Sequence, residues 1–265
     1  MGAQFPILIA CRDRVESLGR LVTWLERAGQ ENIFLVDNDS AFEPLLEYYE
    51  TTPHTVVRLG KNVGPQDFWS AGVVSSLARG QPYIVTDPDV VPTEDCPLDA
   101  LDHFSELLQC HRDYVKVGFG LKIDDLPAHY RHRDAVRVWE AQFWEKEVAP
   151  GVFEANIDTT FALYRSHVDR FTLGPALRTG APYLTRHEPW YSDVSKESPE
   201  SRFYRKRYLR ERSTLPGIKT TWNHRRLPHW LKIRLGDAKP RSWRIWARAA
   251  RYVRNGFRRS GYTDL

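Results

Sequence analysis

The chain has 265 residues, of which 42% are apolar, so it can form one large globular domain or two modest ones. Its net charge is +4. No window approaches the roughly 18 consecutive apolar residues of a membrane-spanning helix, and no basic leader precedes the first apolar run, so neither a spanning segment nor a secretion signal is expected. Three cysteines, an odd number without metal-ligand spacing, favour a reducing compartment such as the cytoplasm over a disulfide framework.

The first third of the chain alternates between short β-rich runs and amphipathic helical stretches. Strands are predicted over 5–10, 32–37, 55–59 and 83–87, and helices over 14–28, 41–50 and 66–79. Apolar strands joined by helical crossovers are typical of a mostly parallel sheet of the α/β class. In such sheets the ligand crevice lies beyond the carboxyl ends of the strands, where Cys11, Asp37 and Asp87 are expected.

The pattern changes after residue 92. A helix near 97–110 precedes the strand-like YVKVGFGL (114–121), an aromatic helical stretch covers 135–147, and strands are predicted within 152–165. This half is expected to form the second wall of the crevice. The boundary with a basic C-terminal extension, residues 199–265, is predicted near residue 198.

The stretch YIVTDPDVVP (83–92) ends a predicted strand in two carboxylates, Asp87 and Asp89, separated by one proline. The extended backbone that precedes a proline lets both side chains face one cavity, and a cation between them would relieve their repulsion. Hard oxygen ligands of this kind suit Mg²⁺ or Mn²⁺ holding a diphosphate. The alternative is a helix cap or a simple Asp-Pro turn.

Four segments carry a resemblance to a known family: PILIACRDR, VDNDS, LGKNVGPQDFWSAG and YIVTDPDVV, in that order along the chain. Together they resemble a GT-A glycosyltransferase, similar to glycosyltransferase family 2. The resemblance implies the Rossmann-like fold of nucleotide-diphospho-sugar transferases for residues 1–198. Residues 1–92 would then form the half that binds the nucleotide sugar, and residues 93–198 the half that binds the acceptor.

Carried over to these segments, the resemblance assigns donor-binding roles. Asp37 would hydrogen-bond the nucleobase edge, with Ala10 and Arg12 framing the base and ribose. Asn62 and Gly64 would lie beside the sugar diphosphate, together with the metal ligands. The plainer interpretations are that Asp37 caps the next helix, that Arg12 is a surface charge, and that the Asn62 segment is a turn.

The stretch TRHEPWYSD (185–193) contains a histidine, two acidic residues and two aromatic residues, which are candidates for a metal ligand, a general base and a sugar-stacking surface. The resemblance implies a histidine as a third metal ligand, which is His187 or, within KTTWNH (219–224), His224. We favour His187. Trp190 and Tyr191 are candidates to stack on the acceptor.

The general base is left open among three carboxylates. Glu188 and Asp193 lie in the 185–193 stretch, and Asp158 lies in IDTTFALYR (157–165), where such transferases have a strand or loop facing the donor sugar and acceptor. The sequence lacks the usual Glu-Asp pair of family 2. For Asp158 a turn or cap role is the alternative.

The C-terminal extension is strongly basic. Residues 201–265 hold 19 Lys or Arg and 3 Asp or Glu, a net charge of +16, which leaves −12 for residues 1–200. Within it, 242–261 has the spacing of a basic amphipathic helix with tryptophans on its apolar face, which suits an anionic membrane surface. The alternative is a helix that packs back on the acidic body. Nucleic acid is not expected as a partner, because no nucleic-acid motif accompanies the charge.

These patterns together predict a metal-dependent, inverting glycosyltransferase that uses a nucleotide sugar, by default a UDP-sugar. Its acceptor would be a glycan or a lipid-linked glycan at the cytoplasmic face of a membrane, in polysaccharide or glycoconjugate synthesis. Two alternatives come from other classes: a phosphohydrolase that uses the Asp-x-Asp pair, and a non-catalytic nucleotide- or membrane-binding module.

Overall fold

The computed structural model describes residues 2–130 and 132–214. The strands are β1 Ile7–Cys11, β2 Ile33–Asp37, β3 Thr55–Arg58, β4 Tyr83–Thr86, β5 Val90–Pro92, β6 Lys116–Leu121, β7 Glu147–Ala149, β8 Val152–Glu154, β9 Ala162–Tyr164 and β10 Ala176–His187. The α-helices are α1 Glu16–Arg27, α2 Glu43–Thr51, α3 Val73–Ala78, α4 Ala100–Cys110, α5 Arg133–Ala141 and α6 Pro199–Thr214. Short 3₁₀ helices cover Pro65–Phe68, Gln142–Trp144, Glu188–Trp190 and Val194–Lys196.

One sheet organises the described residues. Its strand order is β3-β2-β1-β4-β9-β6-β10-β8-β7, and β5 pairs with β10. Along the run from β3 to β10 only β9 is antiparallel to its neighbours, β4 and β6. The predicted α/β class with a mostly parallel central sheet is therefore confirmed.

Strand β1 shows why its sequence is apolar at every position. Ile7 and Ile9 pack in the core on one face of the sheet, whereas Leu8 and Ala10 pack in the core on the other face. Helices cover both faces, so the strand has no solvent-facing side and no alternation of polar residues. The predicted strands 5–10, 32–37, 55–59 and 83–87 correspond to β1 to β4 within one or two residues.

Three elements differ from the sequence-based expectation. The helix predicted over 66–79 is a 3₁₀ turn followed by the shorter α3, because Gly72 adopts a left-handed conformation with φ 74° between them. The helix predicted over 135–147 begins at Arg133 and ends as an α-helix at Ala141. Strand β10 was not predicted, because Gly180 and Pro182 interrupt its apolar pattern.

Helix α6 begins at Pro199 and packs on the first half of the chain. Phe203 contacts Phe42, with ring centroids 5.2 Å apart, and the Arg14 guanidinium lies 4.2 Å from the centroid of the Tyr204 ring. No helix in the described part of the chain is long and apolar enough to cross a membrane. The predicted amphipathic helix 242–261 and His224 lie outside the described residues.

Candidate functional site

Asp87 and Asp89 lie in the link between β4 and β5, at the carboxyl end of the parallel strand β4. Strand β5 pairs antiparallel with the end of β10, so that Val90 is opposite His187. This register brings Nε2 of His187 to 3.8 Å from Oδ1 of Asp89, and the backbone N–H of Glu188 donates to the Asp89 carbonyl at 2.9 Å. Two residues predicted as metal ligands, Asp89 and His187, therefore approach each other at the edge of the sheet where Asp87 also lies.

Asp87 is the carboxylate most strongly influenced by its surroundings. Burial raises its pKa well above the ordinary value, the charge of Asp89 raises it further, and Asp158 adds a smaller effect of the same sign. The Thr159 hydroxyl opposes these effects by donating to Oδ2 of Asp87 at 2.6 Å. Three carboxylates thus face one another at the carboxyl edge of the sheet, a position where a cation would relieve their repulsion.

The donor set at this edge comprises two carboxylates and one imidazole. Within residues 2–130 and 132–214, no three Asp, Glu, His or Cys side chains already stand close enough together to hold an ion. At the acidic edge, Asp89 and His187 approach to 3.8 Å, with Asp87 two residues away in the sequence. Two carboxylates and one imidazole match the oxygen and nitrogen ligands of Mn²⁺, and Asp87 and Asp89 alone match Mg²⁺. The residue types fit such an ion.

A polar cavity of about 200 Å³ opens beside this acidic edge. Asp89 lines it, and so do Glu188 and Asp193, two of the three predicted bases. Its cationic and hydroxyl side chains come from α1 and the segment before it, from the segment after β10 and from the start of α6: Arg14, Arg20, Lys196, Ser17, Ser192, Ser198 and Ser201. Except for one proline, every lining residue is polar, so the cavity suits a ligand with many hydroxyl groups.

The three predicted bases differ in their surroundings. Glu188 accepts a charge-assisted hydrogen bond from Arg20. Asp193 accepts from the Ser195 hydroxyl at 2.7 Å and backbone N–H at 2.8 Å, and these bonds lower its pKa. Asp158 is exposed, and its Oδ1 accepts from the Thr160 backbone N–H at 3.1 Å. The turn role considered for Asp158 is therefore present in the structure.

The residues of the first half that are predicted to bind the nucleotide-sugar donor adopt turn geometries. Oδ1 of Asp37, which is buried, accepts from the Ser40 backbone N–H at 3.1 Å and from the Tyr49 hydroxyl at 3.2 Å. Oδ1 of Asn62 accepts from the Gly64 backbone N–H at 3.0 Å, and Gly64 has φ 80°, which favours glycine. The turn considered for the Asn62 segment is thus realised, whereas Asp37 forms a turn and does not cap α2, whose N-cap residue Phe42 has no side-chain cap bond. The donor roles stay predictions.

Ala10 and Arg12 flank the end of β1. Ala10 is buried and pairs with Val36 of β2, whereas Arg12 follows the strand and is half-buried. Burial raises the pKa of Tyr204 on α6, and the charges of Arg14, Asp89 and Arg12 also act on this phenol. Helix α6 therefore lies at the same edge as the Asp87 and Asp89 link.

Trp190 and Tyr191 are less available for stacking than their sequence neighbourhood suggests. Trp190 packs edge-on against His187, with ring centroids 4.8 Å apart. The Tyr191 hydroxyl donates to Asp125 at 2.6 Å and lies 3.0 Å from the Lys122 carbonyl oxygen. Tyr191 belongs to a surface cluster, and only Trp190 directly contacts a residue of the acidic edge.

Four residues of this edge were missed from the sequence. Thr159 holds Asp87, Arg20 pairs with Glu188, and Glu200 binds the first backbone amides of α1. Arg207 on α6 binds Asp13 at 3.1 Å and Asp39 at 2.7 Å, so it ties α6 to the ends of β1 and β2. These contacts join residues far apart in the chain, so no local sequence pattern indicates them. Of the four residues, only Thr159 is next to a predicted site residue, Asp158.

Comparisons with known proteins gave no match to a family model and no match to a curated protein. Among solved structures, the chain is similar to apo UDP-glucose pyrophosphorylase, with 10% identity over 78% of this chain and 100% of that one, and a TM-score of 0.44. It is also similar to the mannosyltransferase PcManGT from Pyrobaculum calidifontis in complex with GDP-Man and Mn²⁺, with 14% identity over 100% of this chain and 79% of that one, and a TM-score of 0.43. The chain is similar as well to HddC from Yersinia pseudotuberculosis, complexed with GMP-PN, with 12% identity over 68% of this chain and 84% of that one, and a TM-score of 0.39.

Proposed function

We propose that the chain is a metal-dependent glycosyltransferase of the GT-A type that transfers a sugar from a nucleoside-diphosphate sugar, with UDP as the favoured nucleotide. One observation carries the proposal. Asp89 and His187 approach each other at the carboxyl edge of a mostly parallel sheet, and Asp87, two residues from Asp89, is repelled by that carboxylate, which a cation would relieve. The polar cavity beside them offers room for a sugar.

In this proposal Mn²⁺ or Mg²⁺ is held by Asp87, Asp89 and His187. The ion would act as a Lewis acid that stabilises the charge of the departing diphosphate. Asp37, Ala10 and Arg12 frame the nucleobase and ribose, and Asn62 and Gly64 adjoin the diphosphate. These donor roles come from the family resemblance.

The acceptor is a glycan or a lipid-linked glycan, and the anomeric configuration is inverted. The acceptor hydroxyl forms the new bond to the anomeric carbon as the bond to the diphosphate breaks, and a carboxylate takes the hydroxyl proton. Glu188 and Asp193 reach the cavity that Asp89 lines, whereas Asp158 adjoins Asp87. The base is the one whose amide variant, among Glu188→Gln, Asp193→Asn and Asp158→Asn, loses turnover while it retains nucleotide binding.

A thermal-shift screen tests the proposal. UDP, GDP, dTDP and CDP are each added to the full chain with Mn²⁺ or with EDTA. One nucleotide is expected to raise the Tm in the presence of Mn²⁺ by more than the nucleotide or the metal alone, because only a ligand of the folded state stabilises it. An Asp87→Ala/Asp89→Ala protein that responds as strongly as the wild type would contradict the assigned site.

We also propose that the C-terminal extension holds the enzyme on an anionic membrane surface, at the cytoplasmic face and near its polysaccharide or glycoconjugate acceptor. Support comes from the net charge of +16 in residues 201–265 and from the apolar spacing of 242–261. A chain that ends at residue 238 is expected to lose binding to vesicles that contain phosphatidylserine. Unchanged vesicle binding would instead favour packing of the extension on the acidic body.

A further inference from the structure

Two buried basic side chains, Lys116 and Arg178, hold the segment 156–160, which leads into β9. Nε of Arg178 donates to the Asn156 carbonyl at 3.0 Å. Nζ of Lys116 donates to the Ile157 carbonyl at 2.7 Å and lies 3.5 Å from the Asp158 carbonyl oxygen. Two consecutive carbonyls of this segment, those of Asn156 and Ile157, are therefore held by hydrogen bonds from buried basic side chains.

Lys116 and Arg178 are themselves held by further partners. Lys116, which is fully buried, also donates to the Thr172 carbonyl at 2.7 Å and to the Tyr164 hydroxyl at 3.1 Å. Arg178 forms an ion pair with Glu140 at 3.0 Å, and both side chains are about 5% exposed or less. Buried charges are tolerated only with full sets of partners, so this arrangement leaves the segment little freedom to move.

The rigid segment presents one side chain to the acidic edge. The Thr159 hydroxyl donates to Oδ2 of Asp87 at 2.6 Å. The neighbouring Thr160 differs, because its hydroxyl oxygen is buried and, among the described residues, has no hydrogen-bond partner. Two adjacent threonines thus differ in whether the hydroxyl reaches Asp87.

We propose that Thr159 is a positioning residue that holds Oδ2 of Asp87 so that Oδ1 is presented to the metal, and that Lys116 and Arg178 fix the segment that carries Thr159. The inference rests on the proposed function. A hydrogen bond to one oxygen of a ligating carboxylate sets its orientation, and such outer partners affect metal affinity strongly. An ion with strict octahedral geometry depends on this orientation, because its ligands must point at fixed directions.

The test is a titration of the full chain with Mn²⁺, with and without UDP, in which free Mn²⁺ is measured by electron paramagnetic resonance. Thr159→Val removes the hydroxyl at nearly constant volume and is expected to weaken Mn²⁺ binding by about 10–100-fold. Thr159→Ser keeps a hydroxyl and is expected to restore most of the affinity. Thr160→Val is the matched control and is expected to bind Mn²⁺ as the wild type does.

The outcomes separate the two proposals. Failure of the wild type to bind Mn²⁺, even with UDP, contradicts the proposed metal-dependent function itself. Wild-type binding that Thr159→Val leaves unchanged, or that Thr160→Val weakens equally, overturns the role of Thr159 alone. Lys116→Met is a second probe, expected to weaken binding in the same direction. If that variant does not fold, the Thr159 and Thr160 variants decide.

Discussion

Removal of Glu200 is expected to destabilise the protein far more than removal of an ordinary surface charge. Glu200 is buried at the start of α6, and its Oε2 accepts the Val15 backbone N–H at 2.5 Å and the Glu16 backbone N–H at 2.9 Å. These amides begin α1, whose N-cap residue Val15 offers no side-chain acceptor of its own. A carboxylate from a distant part of the chain thus caps α1, and its negative charge is attracted to the positive end of the α1 helix dipole.

The magnitude follows from these contacts. Hydrogen bonds to a charged group contribute about 1.5–3 kcal/mol each, and loss of a helix cap costs about 0.5–2 kcal/mol. Because the two bonds share one oxygen, we expect Glu200→Ala to lower the free energy of unfolding by about 3 kcal/mol. Glu200→Gln retains an acceptor oxygen without the charge, and a loss of about 1 kcal/mol is expected.

Thermal and urea unfolding of the full chain measure the effect. For a protein of this size, about 3 kcal/mol corresponds to a fall in Tm of roughly 6–12 °C. Glu197 is the matched control, because it pairs with Arg205 at 2.8 Å on the partly exposed side of the same region, and such pairs contribute about 0–1 kcal/mol. If Glu200→Ala and Glu197→Ala lower the Tm equally, the proposed capping of α1 by α6 is refuted.

Three further predictions concern stability. Burial and a neighbouring carboxylate raise the pKa of Asp87, so its ionisation opposes folding as pH rises, and Asp87→Asn without metal is expected to be more stable than the wild type at pH 8 in urea unfolding. Burial raises the pKa of Glu140 from 4.5 to about 7, so the free energy of unfolding should fall as pH rises between these values. In Glu140→Gln the difference between the free energies of unfolding measured at pH 5 and at pH 7 should be smaller than in the wild type. Gly118→Ala would place a Cβ 2.3 Å from the Phe161 carbonyl oxygen, so it should lower the free energy of unfolding by about 2 kcal/mol or more. In Gly19→Ala, within α1, the new Cβ meets nothing within 4 Å, so the free energy of unfolding should rise by about 0.5–1 kcal/mol. Equal effects of the two glycine variants, or an unchanged slope in Glu140→Gln, would contradict these contacts.

The first half of the fold could be predicted because its signals are local. Strands β1 to β4 are short apolar runs separated by amphipathic helices, and burial on both faces makes such runs conspicuous. Strand β10 could not be predicted, since its register with β6 shifts between Thr179 and Leu184, around a glycine and a proline. A pattern that breaks at that point looks like two loops rather than one long strand.

The candidate site divides in the same way. Asp87 and Asp89 are two residues apart and follow a recognisable strand, so their shared position could be predicted. The approach of His187 to Asp89 depends on the pairing of β5 with β10, and the hold of Thr159 on Asp87 depends on the insertion of β9 beside β4. Such long-range pairings are set by tertiary packing, which a single sequence does not display.

Turnover of a nucleotide sugar tests the central claim most directly. The full chain is incubated with UDP-sugars and GDP-sugars in Mn²⁺ or in EDTA, and the released nucleoside diphosphate is measured for the wild type and for Asp89→Asn. The account predicts release that depends on Mn²⁺, is specific for one nucleotide, and falls by at least about 100-fold in Asp89→Asn, as expected when a group that stabilises the transition state is lost. Release that is equal in EDTA, or equal in Asp89→Asn, would contradict it.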